Sequence, residues 1–355
     1  MTEPTATEKA AQAVRKMERA APYDLLTHRL GGDASDRRYY RITYGVFGER
    51  KSAVMMELAN AGPFIKSEEV TLYHDESGEL PFLNIHRFLS DLGAPAPKVL
   101  HIDLAHGVIL LEDLGDTLLL DVAQGPQKDR IKKLYQRAID LLVYLQIEGT
   151  ARLGDDCVAS HQAYTAELFL WEFRHFFEYG IEARFHPLPA AARQELDDAC
   201  RQWARHLASL PQVFVHRDYH SRNLMVQNDK LAIIDFQDAL LGPRTYDLAS
   251  LLRDSYVDLG WKLVDELLDY YLARWKQRGG DELDRKSFVA ELWATALQRN
   301  LKAAGRFVYI ERVKGKPGYE KDIPRTLSYL PGYAKRAPEL AGLVEMLRRW
   351  TPELQ

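Results

Sequence analysis

Residues 215–226 read Val215-His216-Arg217-Asp218-Tyr219-His220-Ser221-Arg222-Asn223-Leu224-Met225-Val226, and residues 233–238 read Ile233-Ile234-Asp235-Phe236-Gln237-Asp238. Between them Asn228-Asp229 supplies a turn, flanked by strand candidates at Leu224 to Val226 and Leu231 to Ile234. The spacing predicts a loop with an Asp and an Asn five residues apart, then a hairpin, then an Asp at the end of its second strand. Taken singly, Asp218 and Asn223 would read as turn residues and Asp235 as a strand-end cap. The ordered set, with a hairpin inside it, is far more specific than any one dipeptide.

Phosphoryl transfer from a nucleotide calls for such a set. One carboxylate, Asp218, orients the attacking hydroxyl and accepts its proton. An amide oxygen and a second carboxylate, Asn223 and Asp235, hold Mg²⁺ against the phosphates. The spacing matches the H-R-D-x-x-x-x-N catalytic loop of protein kinases and the Asp-Phe element that follows it. Gln237 stands where that element has its glycine.

Upstream of this segment the chain is strand-rich. The first thirty residues read as an amphipathic helix. Arg38 to Tyr44 and Lys51 to Leu58 read as a hairpin, Pro81 to Leu92 as a helix stopped by Gly93, and Lys98 to Leu104 and Val108 to Leu111 as two more strands. From about Gln127 the chain turns helical, over 127–149, 163–179, 188–209, 260–277, 284–307 and 321–349, the last broken near Pro331-Gly332. The pattern is a small β-rich lobe, a polar hinge at 112–116 and a larger helical lobe. A cleft between two such lobes is the default place for a ligand.

Composition narrows the classes. The chain has 355 residues, 46% hydrophobic and 28% charged, with a net charge of −4. Disorder, collagen and coiled coil are excluded, and no global charge favours nucleic acid or an anionic membrane. Two cysteines, Cys157 and Cys200, build neither a disulfide framework nor a zinc site and suit a reducing cytoplasm. The charged N-terminus lacks a signal-peptide core, and no apolar run is long enough to span a bilayer. A cytoplasmic enzyme with a small-molecule partner is expected, with no nucleic acid, no membrane and no obligate protein partner.

The chain resembles the aminoglycoside phosphotransferase-related kinases, whose fold is that of the protein kinases. Their loop H-x-D-x-H-x-x-N is matched by His216, Asp218, His220 and Asn223, and their metal-binding Asp by Asp235. Glu112-Asp113-Leu114 resembles the hinge that bonds adenine through its backbone. Within this group, 34–41, 216–225, 235–239, 242–254 and 298–302 resemble the bacterial N-acetylmuramate/N-acetylglucosamine anomeric kinases of cell-wall recycling, and the likeness runs over nearly the whole chain. It implies an α+β, protein-kinase-like two-lobed fold. The parts would be a nucleotide-covering N-lobe at 1–111, a hinge at 112–116, and a helical C-lobe at 117–355 with the catalytic loop and acceptor site. It further implies ATP and Mg²⁺ as cofactors, nucleotide contacts at Ser35, Arg37, Arg38, Glu112 and Leu114, and transfer to the C1 hydroxyl of an amino sugar.

One departure stands out. The phosphate-binding Lys of many kinases would fall at Met56, which cannot pair with phosphate. Arg37, Arg38 or Lys51 could supply the charge instead, or Mg²⁺ and backbone amides could suffice. The Glu that would partner that Lys has only Glu68 and Glu69 as candidates.

The acceptor is narrowed by spacing and charge. Only Ala239 to Arg244 separate Asp238 from the helix-like Thr245 to Asp254, which leaves no room for a peptide-docking segment and points to a small molecule. Arg299, Lys302 and Arg306 share one helix face, suited to a neutral or carboxylated sugar and equally to a solvated surface. Substrate-contact candidates are His220, Asp238, Arg253, Arg299 and Lys302. His220 also reads as a loop-fixing hydrogen-bonder, Asp247 as an anchor of the catalytic loop, and Trp171, Phe173, Phe176, Phe177 and Tyr179 as helix packing. The rival readings are an aminoglycoside, choline or homoserine kinase, or a nucleotide-binding pseudokinase.

Overall fold

A computed structural model describes residues 4–31, 37–58 and 79–355. Ser35, Glu68 and Glu69 lie outside the described residues. Two compact units divide the chain, the first from the described residues of 1–72 and 96–116, the second from those of 73–95 and 117–355.

The first unit is an antiparallel sheet with one helix on it. Helix α1 (Ala6–Glu18) starts at Thr5, whose hydroxyl accepts from the Glu8 amide while the Glu8 carboxylate accepts from the Thr5 amide. Strands β1 (Tyr23–Arg29), β2 (Arg38–Val46), β3 (Glu49–Glu57), β4 (Val99–Asp103) and β5 (Val108–Leu111) lie in the order β1-β2-β3-β5-β4. The helix expected over the first thirty residues therefore ends early. Arg19 turns left-handed at φ 55°, Pro22 bars a further helical turn, and Tyr23–Arg29 becomes an edge strand against β2.

Ala10, Ala13 and Val14 of α1 pack on Ile42, Tyr44, Val46, Ala53, Met55, Val108 and Leu110. Because side chains alternate along a strand, the faces of β2 and β3 follow at once. Arg38 and Lys51 share the α1 face with Met55. Met56 and Val54 point the other way, paired with Tyr39 and Arg41.

The second unit begins with α2 (Pro81–Leu92), which the sequence groups with the first lobe. Its Asn84 explains the difference: the side chain donates to Asp156 O at 2.9 Å and accepts from Val158 N at 2.9 Å. Phe82 of the same helix stacks on Phe236 with ring centres 5.1 Å apart. There follow α3 (Lys128–Tyr144), α4 (Ala166–His175) and α5 (Ala190–Ala208). Next come strands β6 (Gln212–Val215), β7 (Leu224–Gln227), β8 (Lys230–Ile233) and β9 (Leu240–Pro243), then α6 (Thr245–Leu252), α7 (Gly260–Gln277) and α8 (Arg285–Val308). Strand β6 pairs with β9 and β7 with β8, both antiparallel. β6 and β9 escape sequence reading because each has four residues, too few to show alternation, and Val213, Phe214 and Val215 are all buried. The helical stretch expected over 321–349 with a break near Pro331-Gly332 is three helices, Ile323–Ser328, Leu330–Arg336 and Ala341–Arg348, the first break falling at Tyr329 and a second, unexpected one at Pro338. Helix α8 is buried on nearly every side from Leu292 to Gly305, polar Gln298, Arg299, Asn300 and Lys302 included. No described helix is long and apolar enough to cross a membrane.

Candidate active site

Everything from β6 to α6 serves to hold one loop. The Asp247 carboxylate on α6 accepts the His216 amide at 2.6 Å and the Arg217 amide at 2.9 Å, one on each oxygen, which is the anchoring role expected of it. The His216 ring is buried, and its Nε2–H donates to Ile234 O at 3.0 Å. Burial pushes its pKa down to about 4, so the ring is neutral near pH 7 and ties the loop to the residue before Asp235. The Asn223 carbonyl makes a parallel tie by accepting Ile234 N at 3.0 Å. Loop and β8 exit are thus held at two points on one residue.

Asp218 lies between these anchors, its side chain 37% exposed. Burial alone would raise its pKa. The combined field of Lys302, Arg299, His220 and Arg217 outweighs that and holds the carboxyl well below the usual carboxylate range. Arg299 Nη2 reaches Asp218 Oδ1 at 3.3 Å, while Arg299 Nε donates to the Ser250 hydroxyl. Asp218 is therefore ionised at neutral pH and fixed on one oxygen.

The cations around it are balanced by a residue that sequence reasoning missed. Glu172 on α4 is fully buried. It accepts from Gln298 at 2.6 Å and Tyr164 OH at 3.2 Å, and pairs with Lys302 at 3.2 Å and Arg217 at 3.4 Å. The available signal was a lone acid within the apolar run Leu168-Phe169-Leu170-Trp171-Glu172-Phe173. Phe173, Phe176 and Phe177, read as packing, are fully buried.

Asn223 Nδ2 donates to Asp218 O at 3.0 Å, which turns its side-chain oxygen into the end able to ligate a cation. Asp235 holds a left-handed backbone at φ 63°, a conformation costly for a residue with a Cβ. Its Oδ1 accepts from Gln237 Nε2 at 3.0 Å, and the same Nε2 reaches Asp238 Oδ2 at 2.8 Å. Among the described residues no group of three His, Cys, Asp or Glu side chains is placed to hold a metal. One carboxylate and one amide oxygen form a hard, partial donor set. It fits a divalent ion that draws its remaining ligands from phosphate and water.

Among the remaining second-unit candidates, His220 is half-buried, its ring edge-on to Tyr256 at 5.3 Å, and burial lowers its pKa. Its backbone contributes more, donating to Asp218 O and accepting from Asn223 N, both at 2.9 Å. Arg299 and Lys302 are 7% and 8% exposed, so their helix face is not a solvated one. Arg253, expected at the substrate, is 2% exposed and lies over the rings of Trp261 at 4.2 Å and Tyr329 at 3.6 Å. Its charge lies between those two rings and Asp258, 3.6 Å away.

In the first unit Met56 is fully buried. Arg38 pairs with Glu57 at 3.1 Å and Lys51 with Glu18 at 3.1 Å, both on the α1 face. Neither replaces a charge at Met56, because period-two alternation turns them to the opposite side of the sheet. Arg37 precedes β2 and is half-buried. A cation on Met56's face is Arg41, which grips Asp113 through two bonds of 2.9 Å, Asp116 at 2.6 Å and Gly115 O at 2.9 Å. Burial would raise the Asp113 pKa, but Arg41, the Gly115 amide and Ser52 pull it below its ordinary value. Glu112 donates its amide to Lys98 O at 2.9 Å, and Leu114 is half-buried.

The chain belongs to the phosphotransferase enzyme family, whose sequence model matches residues 27–285. It is 34% identical over 325 residues to an N-acetylmuramate/N-acetylglucosamine kinase of Pseudomonas aeruginosa, covering 89% of this chain and 86% of that protein. A protein of the same name from Neisseria meningitidis serogroup B is 32% identical over 321 residues, covering 89% and 87%. The crystal structure of a choline/ethanolamine kinase family protein from Mesorhizobium loti matches 97% of this chain and 100% of its own, with a TM-score of 0.59 at 14% identity. The fold is α+β and protein-kinase-like, and the protein is a phosphotransferase. The family implies ATP as donor and a divalent cation.

Proposed function

We propose that this protein transfers the γ-phosphoryl group of ATP to the anomeric hydroxyl of N-acetylmuramate or N-acetylglucosamine, with Mg²⁺ as the cation. The observation that carries the substrate is the named likeness of the two relatives over about nine-tenths of the chain. The short β9 link, with no peptide-docking segment, agrees with a small acceptor. The two buried free cysteines agree with a reducing, cytoplasmic setting for peptidoglycan recycling.

Asp218 orients the acceptor hydroxyl. A carboxylate held so far below neutrality is a weak base, so its work is to accept the hydroxyl's hydrogen bond and to take the proton late, as the P–O bond to the leaving group gives way. Arg299 keeps one Asp218 oxygen fixed and leaves the other for the acceptor. Asn223 and Asp235 hold the cation, which neutralises charge on the phosphates when bound. In the first unit, Glu112 contacts adenine through its carbonyl, its amide being committed to Lys98, and Leu114 and Arg37 complete the nucleotide contacts.

A panel of acceptors tests the proposal. With ATP, the two N-acetyl sugars should drive ADP release, while an aminoglycoside, choline and homoserine should not. The product should be non-reducing and acid-labile, as a C1 phosphate is. A sugar phosphate that still reduces copper would move the reaction to another hydroxyl. Turnover confined to an aminoglycoside or choline would overturn the substrate.

A further inference from the structure

Arg299, Lys302 and the loop's Arg217 are committed to Asp218, Ser250, Tyr246, Tyr164 and Glu172, and the loop's second arginine is of a different kind. Arg222 immediately precedes Asn223 and lies four residues after Asp218. Among the described residues no carboxylate pairs with it. Its guanidinium instead lies over the Tyr256 ring, 3.6 Å from the centroid, and both side chains are half-buried. A stacked guanidinium keeps its edge N–H donors directed outward, in the fork geometry that matches a carboxylate.

The stack is built into the fold. The buried Asp254 carboxylate accepts Ser221 N at 2.9 Å on one oxygen and Tyr256 N at 2.8 Å on the other. One side chain thus clips the residue before Arg222 to the backbone of the ring beneath it. His220 meets the same ring edge-on, and Phe307 packs at 5.8 Å. Asp254, which the sequence left without a role, sets the position of the pair.

We propose that Arg222, supported by Tyr256, is a specificity residue that binds a carboxylate on the acceptor. The inference rests on the sugar-kinase reading above. N-acetylmuramate and N-acetylglucosamine share the reacting hydroxyl and differ by the lactyl carboxylate, so an acceptor-side guanidinium should distinguish them. A guanidinium serving the transferred phosphate would treat them alike.

The test compares kcat/KM for both sugars in the wild type, Arg222→Gln, Arg222→Lys and Tyr256→Leu. Losing a charge-assisted bond should cost about ten- to a hundredfold on N-acetylmuramate, and at least tenfold more than on N-acetylglucosamine. Arg222→Lys should recover part of the loss. Tyr256→Leu, which keeps the charge and removes its support, should be selective in the same direction and smaller. Equal losses on both sugars in Arg222→Gln, or no loss on either, would overturn the inference and leave the sugar-kinase reading standing. A wild type that phosphorylates neither sugar would overturn both.

Discussion

Replacing Glu172 by Gln keeps the shape of the buried side chain and removes its charge. Arg217 and Lys302, 3% and 8% exposed, then face a neutral amide with no route to water. Removing one partner of a buried ion pair costs about 3–5 kcal/mol, because the other charge stays desolvated. The second unit, of about 250 residues, unfolds with an entropy of about 0.5 kcal/mol/K, so the melting temperature should fall by about 6–10 °C. Urea denaturation followed by tryptophan fluorescence gives the same quantity at constant temperature, with Trp171 adjacent to the changed residue. Adding Lys302→Met removes one stranded cation and should return about 1–3 kcal/mol of the loss as a non-additive coupling. A single variant melting within about 2 °C of wild type, or a strictly additive double mutant, would refute the claim that Glu172 balances these cations.

Asp218→Asn should lower turnover by about 10²–10⁴-fold while leaving nucleotide affinity, read by calorimetry, nearly unchanged. Asp235→Ala should abolish the tightening of ATP binding by Mg²⁺, and Asn223→Ala should weaken it; full tightening in Asp235→Ala would remove the cation from this loop. His216, neutral in the fold with its pKa lowered to about 4 from 6.5, binds its proton more readily when unfolded. Its contribution is present above pH 6.5 and is lost as pH falls toward 4, by about 3 kcal/mol in all. The stability advantage of wild type over His216→Gln should shrink by that amount between pH 7 and pH 4. The opposing titration of Asp247, raised to about 7 by its burial, is common to both proteins and cancels in the difference.

The catalytic loop was legible because its logic is local. Asp218 and Asn223 lie within one loop, and a single short hairpin brings Asp235 back to them. What surrounds the loop is assembled from far away. Glu172 meets Gln298 across 126 residues, and Asp254 meets Ser221 across 33, and no periodicity records such pairs. Of the residues weighed as a substitute for a Lys at Met56, Arg38 and Lys51 fall on the α1 face, which was illegible for a different reason. Ala53, Val54, Met55 and Met56 are all apolar, so alternation along β3 is erased and the sides of Lys51 and Arg38 cannot be read. The basic face of α8 was ambiguous because burial of Arg299 and Lys302 depends on acids supplied by other elements.

Arg217 sits in a left-handed backbone at φ 79° while its guanidinium fills a buried place beside Glu172 and Tyr164. Main chain and side chain therefore ask for different residues. Glycine would relieve about 1–2 kcal/mol of backbone strain and empty the ion pair; arginine fills the pair and keeps the strain. Intermediate residues gain neither benefit, since each carries a Cβ and none reaches Glu172 as Arg does. A saturation library at this position should favour Arg, and Gly should rise to a second optimum only in a background where Glu172 has itself been neutralised. The order in which the two positions can change is thus set by the geometry of one residue.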